Sequence, residues 1–493
     1  MRLRSLSGVC VVSLVVVATA SACGSSDDKK KQPGESTYPG SDGGAGGDAP
    51  SNTSGKAGSS GTPHAGEANG GQPMSGEGGV PSSSPGGAGG ATPSCPDGFG
   101  DCDDNPADCE TPLDTVTACG ACDVSCDGSH GSVACTDGKC VIDSCADGYD
   151  SCDNDTSTGC ETKLDSNQAC GACTRNCATA GATCDTGMCS APELSPHGQA
   201  WEATYGGGAV FVMKVNASPV SHYTLTRIPT DGSAEKQIWD ADAGVGDGVL
   251  YADATDLYWA VSGNPPSVLK KAVSAASNVN PTVVFQPTLL PKFLTIHGNA
   301  YFWMTGMYGA KASLFTRATN ALMANTGTEI MTVDQGYVTS FALTSDAVYW
   351  VARSNATAHL SYVPLAGGAP KDVPDAVVVD TAALFAMGDT LYFARTGSNA
   401  NVLNGLYKFK QGDATVTQLV QQEGVRAIAA DATGVYFAAG YDGYVYKEPL
   451  AGGVAPTKIA KVPSFAGFAG QDDKLLYTFN GWGSAGSAYK IVK

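Results

Sequence analysis

The stretch Ile428–Gly453 reads IAADATGVYFAAGYDGYVYKEPLAGG and alternates β-rich runs with turn words. One run ends in the turn beginning at Asp431. The next carries the adjacent aromatics Tyr436 and Phe437, and a third opens at Val445 before PLAGG. Successive residues of a strand point to opposite faces, so neighbouring aromatics imply a sheet covered on both sides. A sheet with one wet face would place polar residues at every second position. The cover must come from elsewhere in the chain.

Copies of the same phrase supply it. Aromatic pairs recur at Val210-Phe211, Tyr258-Trp259, Tyr301-Phe302, Tyr349-Trp350, Tyr392-Phe393, Tyr436-Phe437 and, in weakened form, Leu476-Tyr477. A second mark follows each of them: LTRIP at Leu225, LKKAV at Leu269, LFTRA at Leu314, LSYVP at Leu360, LYKFK at Leu406, VYKEP at Val445 and AYKIV at Ala488. A period in the low to middle forties, with four short strands per unit, is that of a β-propeller whose blades cover one another. Residues 190–493 are therefore expected to form an all-β, seven-bladed ring. The weak first and last pairs leave six or eight blades as the alternatives. Tyr258, Tyr301, Tyr349, Tyr392 and Tyr436 should share one place on the second strand of successive blades, facing the next blade. The last unit stops after its third strand, so a segment near Cys189 to Ser195 should close the ring.

Ile428–Gly453 resembles bacterial propeller repeats of the form VAVDATxVYWTNxxxGxVxKVPLAGG, relatives of the YWTD blades of lipoprotein receptors. The resemblance covers roughly 200–493 and implies architecture alone. The Asp or Asn that follows YWT in those blades is absent, as Tyr258-Trp259-Ala260-Val261 shows. Receptor-type ligand binding is not implied.

Upstream the composition changes. Cys10 and Cys23 lie near the amino terminus, the other cysteines fall between Cys95 and Cys189, and none follows. Residues 95–189 are two copies of one unit, 95–140 and 145–189. The first contains Cys95, Cys102, Cys109, Cys119, Cys122, Cys126, Cys135 and Cys140. The second contains Cys145, Cys152, Cys160, Cys170, Cys173, Cys177, Cys184 and Cys189. Each copy is too short and too poor in apolar residues to build a core, so disulfides must stabilise it, and spacing cannot choose among the pairings. Zinc is the rival reading of the CGAC step at Cys119-Cys122; the even count and an exported context oppose it. Calcium is the second rival, through Asp101, Asp103, Asp104 and Asp108 in the first copy and Asp150, Asp153, Asp155 and Glu161 in the second. Neither copy matches a calcium loop in register, so the carboxylates read as solvated acidic loops and no cofactor is expected, with calcium as the alternative. The words CxDGxxDC, GCET and CGAC resemble the Cys-rich repeats of exported myxobacterial proteins, to which no activity is attached. Asp108 stands where the Gly before CET would be in the first copy.

The chain opens MRLRSLSGVCVVSLVVVATASAC, a basic start, a short apolar core and small residues, which reads as an export signal over residues 1–22. The small-residue box ends on Cys23 and resembles the lipobox of bacterial lipoproteins, with Ala20 where Leu is usual. That resemblance implies lipidation at Cys23, with Gly24 leaning toward the outer membrane. Acyl chains contribute about 0.8 kcal/mol per buried methylene, enough to anchor without a spanning helix. Residues 24–94 are dominated by Gly, Ser, Pro and Ala and read as a disordered tether with a span of about 45 Å.

The formal net charge is −19 and the sequence pI about 4.6, which excludes nucleic-acid binding through a basic face. Residues 95–189 hold 18 acidic and 3 basic side chains; residues 190–493 hold 23 and 20. There is no nucleophile elbow, HExxH helix, phosphate loop or dinucleotide fingerprint. His197, His222, His297 and His359 fall at unlike places in their units, and the SVLK run at Ser267 lies on an expected strand. Trp201, Trp239, Trp303 and Trp482 are either core residues or exposed stacking platforms for sugars. The chain thus reads as a monomeric, envelope-anchored, non-enzymatic scaffold in the outer membrane, periplasm or cell surface. It would hold the membrane through a lipid and show a propeller face to a glycan, peptide or envelope protein. A hydrolase or lyase acting at the central axis is the alternative, and would need carboxylates or histidines converging there.

Overall fold

The structure is a computed structural model. It describes residues 95–103, 109–196, 200–216, 222–241, 249–305, 311–322, 326–333, 337–354, 357–378, 383–395, 404–440, 443–463, 465, 467–479 and 486–493. Cys23, the tether, Asp104, Asp108, His197 and Trp482 lie outside the described residues.

Seven antiparallel sheets follow one another along the chain. They span 200–241, 250–285, 291–333, 337–378, 384–420, 425–461 and 467–492, and are numbered here as blades 1 to 7 with strands a to d. The seven a strands touch in a closed circuit about the axis. Blade 7 has only three strands of its own. Glu193–Pro196 provides the fourth, pairing antiparallel with Ser487–Val492 through Ser195↔Ala488 and Pro196↔Ser487. The ring is thus a seven-bladed propeller closed by the segment just before blade 1, as the truncated last unit requires.

Both faces of each sheet are buried, as the adjacent aromatics demand. In blade 6 every residue of strand b, Gly434–Ala439, is buried. Trp259 and Trp303 are buried core residues on the b strands of blades 2 and 3.

The register differs in detail from the expected one. Each a–b hairpin closes on a pair such as Asp431↔Gly434 or His297↔Ala300. Counting from that closure, the equivalent residues are Phe211, Tyr258, Phe302, Tyr349, Tyr392, Tyr436 and Tyr477. Tyr301 is one residue out of step. It points back toward blade 2, where its ring meets Tyr258 edge-on at 5.9 Å. The pairs Val210-Phe211 and Leu476-Tyr477 are likewise shifted by one, and so is the second mark in blade 2, which begins at Val268 rather than Leu269. The cause is that alternate residues are equally apolar when both faces are buried. Parity then cannot be read from residue type.

All sixteen cysteines from Cys95 to Cys189 are paired, and both repeats use one connectivity. The first has Cys95–Cys109, Cys102–Cys122, Cys119–Cys135 and Cys126–Cys140. The second has Cys145–Cys160, Cys152–Cys173, Cys170–Cys184 and Cys177–Cys189. The two cysteines of each CGAC step therefore bond to different partners. The glycine between them is required: Gly120 and Gly171 have φ of +76° and +67°. A Cβ there would lie 2.3 and 2.1 Å from the carbonyl oxygens of Gly138 and Gly187.

The last hairpin of each repeat seats the next module. Strand Lys139–Cys145 runs from the first repeat into the second, and His130 stacks on Tyr149 at 3.9 Å. In the second repeat the matching strand Met188–Ser190 runs parallel to strand d of blade 6, Thr457–Lys461, with Cys189 opposite Ala460. The 3-10 turn Cys177–Ala180 packs on Ser487–Val492. Cys170, Cys177 and Cys189 join Tyr477, Ala488 and Val492 in one buried cluster. The second repeat is thus fused to blades 6 and 7.

Candidate functional site

The up-and-down order of four strands puts the a–b turns and c–d hairpins of all blades at one end of the ring, and the b–c and d–a connections at the other. Of the latter end, 217–221, 242–248, 306–310, 396–403 and 480–485 lie outside the described residues. The first end is described most fully.

There a polar tier repeats beneath the equivalent aromatics. The residue opposite them on strand c is Arg227, Lys270, Lys408, Lys447 or Lys490 in five blades. In blade 6 the hydroxyl of Tyr436 lies 2.6 Å from Thr433, and Lys493 donates to Asp431 at 2.6 Å. Burial acts to raise the Asp431 carboxyl, but Lys493 and Thr433 together hold it below its ordinary value. Lys447 is pushed down, first by burial and then by the neighbouring Arg175 and Lys493. Arg175 comes from the second cysteine repeat and is buried, donating to the carbonyls of Cys170 and Gly187. This tier ties blades to one another: Lys493 reaches from blade 7 to Asp431 of blade 6, Arg227 from blade 1 to Val273 O of blade 2, and Lys408 from blade 5 to Leu450 O of blade 6.

Buried charges recur one residue farther along strand c, and two of them hold c–d hairpins. Lys271 in blade 2, 3 % exposed, donates to the carbonyls of Ile238 (2.7 Å) and Ser277 (3.4 Å), and burial depresses its ammonium. Arg317 in blade 3 donates to Ala321 and Leu322 and lies over the Phe285 ring. Glu448 occupies the same place in blade 6, where burial raises its carboxyl. Sequence reading missed all three. Their signal was a charge at a position that is apolar in sibling blades, as in Ile228 and Ile491.

Glu202, on strand a of blade 1, is 3 % exposed, and its Oε2 has no hydrogen-bond partner among the described residues. Burial pushes its carboxyl well above the ordinary range, opposed only by the Leu250 amide. The folded state therefore holds a proton that the unfolded chain releases near its ordinary pKa. Stability conferred by that proton is complete below the unfolded value. It falls by about 1.4 kcal/mol per pH unit as pH rises above that value. Glu202→Gln should be more stable than the parent in urea at neutral pH and equal to it near pH 4. A gap that stays constant with pH would contradict this account.

The acidic loops divide. Asp101, Asp103 and Glu110 bring carboxylate oxygens within 4.8 Å of one another on an exposed surface. In the second repeat the oxygens serve turns: Asp153 accepts from the Asp155 amide, Asp155 from Ser157, and Asp150 from Ser151. Among the described residues Asp150, Asp153 and Asp155 form no such group. The glutamate of the CET word has a structural duty in both copies, since Glu110 and Glu161 accept from the amides of Cys102 and Cys152. His297 lies at the a–b end of blade 3, whereas His359 is exposed near the b–c end of blade 4. Lys270 of the SVLK run is engaged by Asp256 at 3.1 Å.

Between blades 1 and 2 the rim holds a cavity of about 330 Å³, lined by residues 237–240 of strand d and by Ser277, Val279, Asn280 and Pro281 of the c–d hairpin. Trp239 is half-buried there, its ring centroid 5.5 Å from that of Trp259.

No family model and no curated protein matches the chain. Solved structures do. The propeller domain of the trilobed protease from Pyrococcus furiosus is 10 % identical with a TM-score of 0.44, covering 60 % of this chain and 95 % of that one. The oligogalacturonate lyase from Vibrio parahaemolyticus is 8 % identical with a TM-score of 0.45, over 62 % and 94 %. The WD40 propeller of Doa1 is 10 % identical with a TM-score of 0.42, over 62 % and 97 %.

Proposed function

We propose that this chain is an exported lipoprotein that holds a rigid propeller off the bacterial envelope as a binding or structural platform. The lipid sits on Cys23, residues 24–94 form the tether, and the disulfide repeats form a short stalk. The observation that carries the reading is the junction of stalk and ring. Eight disulfides suit an oxidising, exported setting. The last of them, Cys177–Cys189, lies where the stalk joins blades 6 and 7, so the stalk meets the ring at a fixed point. A monomeric ring attached in this way offers its free rim and loops to a glycan, a peptide or another envelope protein.

Cys23→Ala tests the anchor. The variant should move from the detergent-extracted membrane fraction to the soluble fraction, or accumulate uncleaved. A mutant that is cleaved normally and still needs detergent for extraction would remove the lipoprotein reading.

A further inference from the structure

Strand d carries one extra residue in most blades. In blade 1 it is Ile238, between the pairs Leu225↔Trp239 and Thr226↔Gln237; in blade 5 it is Leu419, between Leu406↔Val420 and Tyr407↔Gln418. A bulge frees its carbonyl from the ladder, and a neighbour must satisfy it. Between blades 5 and 6 the c–d hairpin does so directly, with the Gly453 amide donating to Leu419 O at 3.2 Å. The hairpin lies flat on the strand, and Gly452 has no room for a Cβ without crowding Leu419.

Between blades 1 and 2 the same carbonyl is met by a long side chain instead. The ammonium of Lys271 bridges Ile238 O and Ser277 O, one from each wall, and so props the hairpin away from the strand. The cavity at Trp239 is the result. A buried cation is costly, and here it holds two walls apart where a backbone contact would have closed them.

We infer that this cavity is a saccharide subsite, taking a neutral pyranose against the Trp239 ring. The inference rests on the platform reading above and names a ligand class and a place for it. Its volume lies at the low end for small-ligand clefts and fits roughly one or two sugar rings. The half-buried Trp239 lines the cavity together with Val279 and Pro281, and an indole is a ring suited to the C–H side of a pyranose. Planar polar groups suited to paired hydroxyls surround it: the Gln237 amide, which donates to Asp240 at 2.9 Å, and the exposed Asn280. An acidic sugar is disfavoured by the Asp240 carboxylate in the lining. The walls are fixed by Lys271 before any ligand arrives, which lowers the ordering cost of binding.

The test uses the full chain, purified from membranes in detergent, titrated with maltohexaose, cellohexaose, xylohexaose and chitohexaose by calorimetry and saturation-transfer NMR. At least one should bind with a dissociation constant below about 10 mM. Trp239→Ala should weaken it about tenfold or more, and Trp239→Phe should largely restore it. Asn280→Ala, an exposed loop change that leaves the core intact, should also weaken binding. Binding that survives both Trp239→Ala and Asn280→Ala overturns this subsite and leaves the platform reading in place. No binding of any of the four sugars overturns the saccharide assignment, while the Cys23 experiment judges the anchored scaffold separately.

Discussion

Replacing Trp350 by alanine should lower the stability of the ring by about 3–5 kcal/mol, the usual loss for truncating a core tryptophan. Trp350 lies on strand b of blade 4, is 2 % exposed, and shares a cluster with Phe341 and Val348 of its own blade and Phe302 and Met304 of blade 3. Its neighbour Tyr349 faces the other way and meets Phe409 of blade 5 at 6.2 Å. The substitution therefore empties one interblade interface and leaves the next untouched. The cavity cannot collapse easily, because both blades are fixed on their far sides by further blades. Urea unfolding of the full chain would measure the loss. A change smaller than about 1 kcal/mol would mean that the blade 3–4 contact is not part of the cooperative core.

The pair Cys177→Ser and Cys189→Ser should cost about 2–5 kcal/mol and lower the midpoint of the propeller's own melting. Composition places every cysteine before residue 190, so the simplest expectation is that reduction unfolds 95–189 alone. The structure changes that expectation for one repeat. Cys177 begins the turn that packs on the last strand of blade 7, and Cys189 lies in the strand added to blade 6. Losing their bridge loosens the outer edge of two blades at the point where the ring closes. Removing Cys102–Cys122 from the first repeat is the control: its hairpin leads into the second repeat, and the ring should melt as before. Calorimetry showing the propeller unmoved by the first pair would show that the repeat merely rests on blades 6 and 7.

Much of this protein was legible without coordinates. Seven pairs of marks at a steady interval are enough for a ring of blades. Adjacent aromatics such as Tyr436 and Phe437 say that both faces are covered, because the pleat sends neighbours to opposite sides. The missing fourth strand of the last unit implied a closing segment, found at Glu193–Pro196. The even cysteine count of each repeat implied a disulfide framework. These are properties of local pattern and counting, and a sequence carries them in full.

What needed the tertiary structure was parity, pairing and contact. Tyr301 and Phe302 are both aromatic and both buried, so nothing in their chemistry says which faces the next blade; only the closure at His297↔Ala300 decides it. The eight disulfides follow from where the chain brings sulfur atoms together, which spacing leaves undetermined. The seat of the second repeat on blade 6, and the cavity that Lys271 holds open beside Trp239, are made by residues far apart in sequence. Each segment alone reads as an ordinary strand or hairpin. Their meaning arises only when long-range packing puts an ammonium from one blade beneath a carbonyl of the blade before it.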